Sequence, residues 1–168
     1  TVIAASFLPE GRGAGLPTAE APSPDCRMLA NHGLPLAFAA SALIQGAHAF
    51  YYGFSAVAWR ADGVPAGVVG MLWSTGVAAE ILLFALSGRI FRGWSPAQLM
   101  MLGGAGAVLR WSLLALGPPL PALFALQSLH ALSFAAAYLG FLRYAADHAP
   151  EDMAATAQAI NSALSGGL

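Results

Sequence analysis

Four successive stretches of this chain, about Pro35–Trp59, Val64–Ile90, Ala97–Leu116 and Leu120–Tyr144, each run for 20 or more residues with almost no charge. As helices at about 1.5 Å per residue, 25 residues reach about 37 Å, enough to cross a hydrocarbon core about 30 Å thick. A segment in lipid must satisfy its own backbone, which only helices and closed barrels do. Barrel strands are shorter and alternate apolar with polar residues, and these runs do not. A soluble bundle needs a charged surface, with about 25% charged residues on average. This chain has 9% charged and 58% hydrophobic residues in 168. The fold class is therefore an all-α membrane protein, and the short turns between runs imply antiparallel neighbours.

The segments between the runs differ in kind. Residues 1–8 are apolar and read as the end of a preceding helix. Residues 9–33 carry Pro9, Pro17, Pro22 and Pro24 among glycines and scattered charge, the composition of a linker outside the bilayer. Residues 34–168 hold the membrane helices. Ser95 followed by Pro96 is a helix start, with a hydroxyl N-cap and proline at the first helical position. Gly117-Pro118-Pro119 separates the third run from the fourth. Pro150, Glu151 and Asp152 suit the first turn of a fifth helix, which the chain only begins. The layout is about four full transmembrane helices plus partial ones at each end, so we read the chain as a piece of a longer protein.

All seven cations are arginine. Arg12, Arg27, Arg89, Arg92 and Arg143, counted with the last loop, fall on one side, and Arg60 on the other. The excess places the linker in the cytoplasm. Net charge is −1, which gives no basic field for nucleic acid. A single cysteine, Cys26, excludes an intrachain disulfide and a multi-cysteine metal site. No nucleophile motif and no His-Glu-x-x-His is present. We expect no enzyme activity, no metal and no cofactor.

Polar groups inside the runs point to a site. Glu80 is the only formal charge between Gly63 and Gly88, and Arg110 the only one between Gly93 and Leu142. Charge at a helix centre costs roughly 2.5–3.5 kcal/mol on insertion scales. His48 and His130 lie in the neighbouring runs. Counted at 1.5 Å per residue, His48, Arg110 and His130 sit about 20 Å from the cytoplasmic end and Glu80 about 15 Å. One reading is a structural Glu80–Arg110 pair with packing histidines. The other is a polar cavity with a proton relay. Ser41, Gln45, His48, Tyr52 and Ser55 recur every three or four residues and make one stripe. Gln127, His130 and Tyr138 share a broader face with Phe134. Tyr51, Tyr52, Trp73 and Trp111 offer aromatic walls. Gly103, Gly104 and Gly106 permit close helix packing.

These residues also carry a resemblance. Gln45-Gly46-Ala47-His48-Ala49-Phe50-Tyr51-Tyr52-Gly53-Phe54-Ser55 resembles the seventh helix of phenylpropionate permease-like members of the major facilitator superfamily. Leu72-Trp73-Ser74 with Val77-Ala78-Ala79-Glu80, Leu109-Arg110-Trp111 and Gln127-Ser128-Leu129-His130-Ala131 resemble the three helices that follow. Ala157-Gln158-Ala159 and Ser162–Gly167 are similar to the start of the eleventh. The resemblance implies the C-terminal half of a twelve-helix bacterial inner-membrane transporter, with helices seven to ten and the start of eleven present. The missing partner is then the N-terminal six-helix half. It implies proton-coupled uptake of a small aromatic acid such as phenylpropionate, with a nucleoside or sugar proton symporter as the alternative. Lipid, protons and a small organic anion are the implied partners.

The expected proton-coupling or substrate-binding residues are Glu80, Arg110, His130, His48, Gln45, Tyr52 and Gln127. Arg89-Ile90-Phe91-Arg92-Gly93 resembles a reduced form of the superfamily's basic gating loop, without its aspartate. The more distant lactose permeases are similar in placing an arginine on helix nine and a histidine on helix ten, matched by Arg110 and His130. Their key carboxylate is on helix ten, so the role of Glu80 rests on burial and charge alone. An anion moving toward Arg110 would free Glu80 to take a proton.

Overall fold

A computed structural model describes residues 33–149 and 153–166. Residues 1–32 and the Pro150-Glu151-Asp152 turn, on which the reading of a preceding helix, a linker and a helix start rests, lie outside the described residues.

The described chain is all helix: α1 Gly33–Ala61, α2 Ala66–Ile90, α3 Pro96–Leu114, a long helix Leu120–His148, and α6 Ala154–Gly166. The long helix comprises α4 Leu120–Ser128, a π-helical segment Ala131–Ala136 and α5 Ala137–His148. Prolines punctuate the starts. Pro65 and Pro119 stand at N-caps and Pro96 in the first turn of α3, where a missing N–H removes no helical bond. The Ser95 hydroxyl accepts from the Gln98 N–H at 3.2 Å, and the Gln98 side chain accepts from the Ser95 N–H at 2.8 Å, a reciprocal cap. Gly63 and Gly93 close the first two turns with φ of 84° and 81°, a conformation that a side chain disfavours.

Three helices, α1, α2 and the long helix, are long and apolar enough to cross a membrane. The third expected run forms α3, which has 19 residues and reaches about 28 Å. Its glycines, Gln98 and Arg110 dilute its hydropathy. Arg143, counted with a loop in the sequence, belongs to α5. Its Nη1 donates to the carbonyls of Phe91 and Trp94 at 3.2 and 3.5 Å, so it ties the α2–α3 turn to the long helix.

α3 lies along α5 and the π segment at backbone contact. A Cβ added to Gly103 would stand 2.5 Å from the Ala137 Cβ and 2.7 Å from its N. One added to Gly106 would stand 2.9 Å from the Leu132 Cβ, and one on Gly140 2.8 Å from Met100 N. Gly104 meets only Ile44, at an ordinary 3.7 Å. Small residues therefore set this spacing, as van der Waals packing in lipid requires. α1 and the long helix run antiparallel. One apolar cluster joins Leu34 and Phe38 to Phe141, Ala145 and Ala157; another joins Trp59 to Leu72 and Leu123. Between them along both helices lies a polar layer: Gln45, His48, Gln127, His130 and Ser133, with Arg110 from α3.

Candidate functional site

Arg110 is the centre of that layer, 1% exposed. Its guanidinium carbon sits 4.7 Å from the ring centroids of both Tyr51 and Trp111, a cation–π environment. Nη2 donates to Gln127 Oε1 at 2.9 Å, and the Tyr51 hydroxyl donates to the same oxygen at 2.7 Å. Nη1 faces His130 Nδ1 at 3.2 Å and donates to Ser133 Oγ at 3.4 Å.

A guanidinium only donates, and that fixes the protons around it. His130 Nδ1 must accept from Arg110, so a neutral His130 carries its proton on Nε2. That nitrogen faces Glu80 Oε2 at 3.3 Å and the Tyr52 hydroxyl at 3.2 Å. His48 is the reverse. Its Nδ1 lies 2.8 Å from the Ile44 carbonyl, which only accepts, so Nδ1 carries the proton and Nε2 accepts from the Ser133 hydroxyl at 3.0 Å. The two histidines hold opposite tautomers. A second proton on His130 can enter only at Nδ1, where it meets the Arg110 donor. Protonation of His130 and the Arg110–His130 bond exclude each other.

Glu80 and Arg110 do not pair directly; His130 stands between them. Glu80 reaches it because α2 passes closely one turn earlier. A Cβ on Gly76 would touch the His130 Cβ at 3.4 Å and the Gln127 carbonyl at 3.5 Å. The Glu80 side chain is 20% exposed against 5% for His130, so the carboxylate is the reachable end of the chain of groups. The π segment follows directly after His130. Its wider winding brings residues four apart nearly into line. His130 and Phe134 stack at 5.0 Å, and Phe134 and Tyr138 at 6.3 Å.

Of the residues expected from the sequence, Glu80, His130, Arg110, Gln127, Tyr52 and His48 thus join one network. Gln45 is buried one turn before His48 and hydrogen-bonds to none of them. Arg89 and Arg92 are exposed at the far end of α2, away from the network. The sequence reading did not single out Ser133, which links His48 to Arg110. Its position three residues after His130 was the available signal. Tyr51, an aromatic wall by its sequence position, also holds Gln127 through its hydroxyl.

Two hollows adjoin the network. A small one of about 40 Å³ lies among Tyr51, Tyr52, Trp73, Arg110 and His130. A larger one of about 380 Å³ is lined by residues of α1, the long helix and α6, and shares Tyr52. An apolar hollow of about 840 Å³ touches the network only through Tyr51 and Trp111. Among the described residues no group of three or more His, Cys, Asp or Glu is placed to hold a metal ion.

The chain is 44% identical over 104 residues to a "Probable 3-phenylpropionic acid transporter" of Escherichia coli (strain K12), a match covering 62% of this chain and 27% of that protein. No solved structure matches it. The description "MFS_1 like family" matches residues 21–168. With its membrane-length helices and a polar layer among them, the chain belongs to the MFS_1 like family.

Proposed function

We propose that this chain is the C-terminal-half part of a proton-coupled transporter for a small aromatic acid of the phenylpropionate kind. Residues 34–168 would supply helices seven to ten, with α3 as the third of these four spans, and the start of eleven. Residues 1–8 would end the preceding helix and 9–33 form the cytoplasmic linker. The arginine distribution supports that orientation. An N-terminal six-helix half would complete the cavity, and the 27% coverage of the relative is in keeping with this.

The observation that carries the reading is the bridged series Glu80–His130–Arg110. A buried cation in lipid needs a negative partner. Here Glu80 supplies it through the His130 imidazole. When a proton neutralises Glu80, the His130–Arg110 end loses its counter-charge and accepts the carboxylate of an incoming substrate. When that substrate leaves, Glu80 must ionise again. One negative charge faces Arg110 in either state, so one proton moves with one monoanion. His48 and Ser133 hold the other side of Arg110 and orient it. Tyr52, which meets both His130 and the larger hollow, would contact the substrate. The Arg89–Gly93 turn, tied down by Arg143, would serve as the gating loop.

The test is uptake of labelled 3-phenylpropionate by vesicles carrying the complete transporter. An inward proton gradient should drive accumulation, and a membrane potential alone should not, because the co-transported pair is neutral. Uptake indifferent to the proton gradient contradicts the coupling. Competition by nucleosides or sugars, and not by aryl acids, would assign the site to a different substrate class.

A further inference from the structure

The larger hollow contains polar groups that the charged network does not use. Asn161 and Ser165 stand four residues apart on one face of α6, and Gln45 faces the same space from α1. Gln45 is 4% exposed and Asn161 2%. Gln45 Oε1, Asn161 Oδ1 and Ser165 Oγ have no hydrogen-bond partner. Buried polar atoms are nearly always paired, because an unpaired one forfeits its hydration without return. Three unpaired atoms around one space are an unused recognition surface.

The chemistry of that surface is specific. Among the described residues the lining has no Asp, Glu, Lys or Arg. Its histidine, His48, is committed through both ring nitrogens to Ile44 and Ser133. A carboxylate placed here would meet no cation and could not donate to the two amide oxygens. An ammonium would meet no carboxylate. An uncharged hydroxyl can donate to an amide oxygen and accept from an amide N–H or the serine hydroxyl. The rest of the described wall is the aromatic rings of Tyr52, Phe134 and Tyr138, with the small side chains of Ala49 and Ser162. Phe134 and Tyr138 continue the ring stack that starts at His130, a surface for an aromatic ring. Gln45 lies about 4.5 Å along α1 from His48, and Tyr138 about 12 Å along the long helix from His130. That range is the scale of one arylalkanoic acid.

We infer that Gln45, Asn161 and Ser165 form a second subsite that takes a ring hydroxyl of the substrate, at the opposite pole from the carboxylate. The inference rests on the aryl-acid reading above and narrows it to ring-hydroxylated acids. A site built to hydrogen-bond a hydroxyl discriminates strongly against the analogue that lacks it, because its own groups are left unpaired.

The test is calorimetric binding of 3-phenylpropionate and its three ring-monohydroxylated isomers to the purified complete transporter, with proton-driven uptake measured separately. At least one hydroxylated isomer should bind about tenfold or more tighter than the parent acid. Asn161→Leu and, independently, Ser165→Ala should bring that ratio close to one. The ratio is read within each variant, so a general loss of affinity does not imitate the effect. No isomer binding more tightly than the parent, or a preference that survives both substitutions, overturns the subsite. If the preference is present but neither acid is accumulated, the transport reading fails and the subsite stands. If phenylpropionate is accumulated without any hydroxyl preference, the reverse holds. If neither acid binds, both fall.

Discussion

α2 and α3 are successive apolar helices that each carry one charge within an apolar run, and they hold it in opposite ways. α3 is wedged against α5 and the π segment through Gly103 and Gly106, and Arg110 is bound by Gln127, His130 and Ser133 between two aromatic rings. α2 buries little beyond Val69, Leu72 and Gly76, and presents Met71, Val77, Ile81 and Leu82 outward. Its Glu80 makes one ion-pair contact, at 3.3 Å, with a fifth of its side chain exposed. The same type of sequence signal, a lone charge in an apolar run, thus marks a fixed pole on α3 and a reachable one on α2. The proposed division of labour follows: Arg110 stays and Glu80 changes state.

The sharpest way to break this contrast is to remove the fixed pole. Arg110→Met leaves Gln127 and His130 without their donor and Glu80 without a cation, and should destabilise the protein by about 3–5 kcal/mol. Unfolding in detergent reads that loss. Stability close to wild type would mean that Arg110 does not anchor the layer. Next comes the packing difference. Gly103→Ala should cost about 1–3 kcal/mol by overpacking against Ala137. Gly70→Ala on α2, with nothing within 4 Å, should fall within about 0.5 kcal/mol of wild type. Equal effects would erase the distinction between a wedged and an open helix. The smallest change is spectroscopic. Nitrogen-15 NMR near neutral pH should find the proton of His48 on Nδ1 and that of His130 on Nε2. The same tautomer at both would contradict the proton assignment derived from Arg110 and Ile44.

Much of the scaffold was readable from charge and proline alone. Charged turns, Pro96 and Gly117-Pro118-Pro119 bound the helices, and the Ser95–Pro96 start is a full cap, to which Gln98 adds its second half. Counting residues from helix ends puts His48, Glu80, Arg110 and His130 at similar depth, and they meet through Ser133, the Arg110–His130 hydrogen bond and the His130–Glu80 ion pair. How they are joined was not readable. Depth along a helix says nothing about azimuth, so it could not separate a direct Glu80–Arg110 pair from one bridged by His130. The polar stripe on α1 selected Tyr52 and left Tyr51, a rotation of about 100° away, as a wall. Yet Tyr51 contacts Arg110 and Gln127. The π segment has no glycine or proline to announce it. It lies where Gly106 closely approaches Leu132 and Ser133, a tertiary contact that local propensity does not carry.

The central claim is that Glu80 carries the proton while Arg110 holds the charge it balances. It is tested most directly by Glu80→Gln in vesicles containing the complete transporter. The glutamine keeps the shape and an oxygen that can face His130 Nε2 but cannot ionise. Exchange of labelled for unlabelled aryl acid should persist while accumulation driven by a proton gradient should be lost. Accumulation at the wild-type level in Glu80→Gln would contradict it.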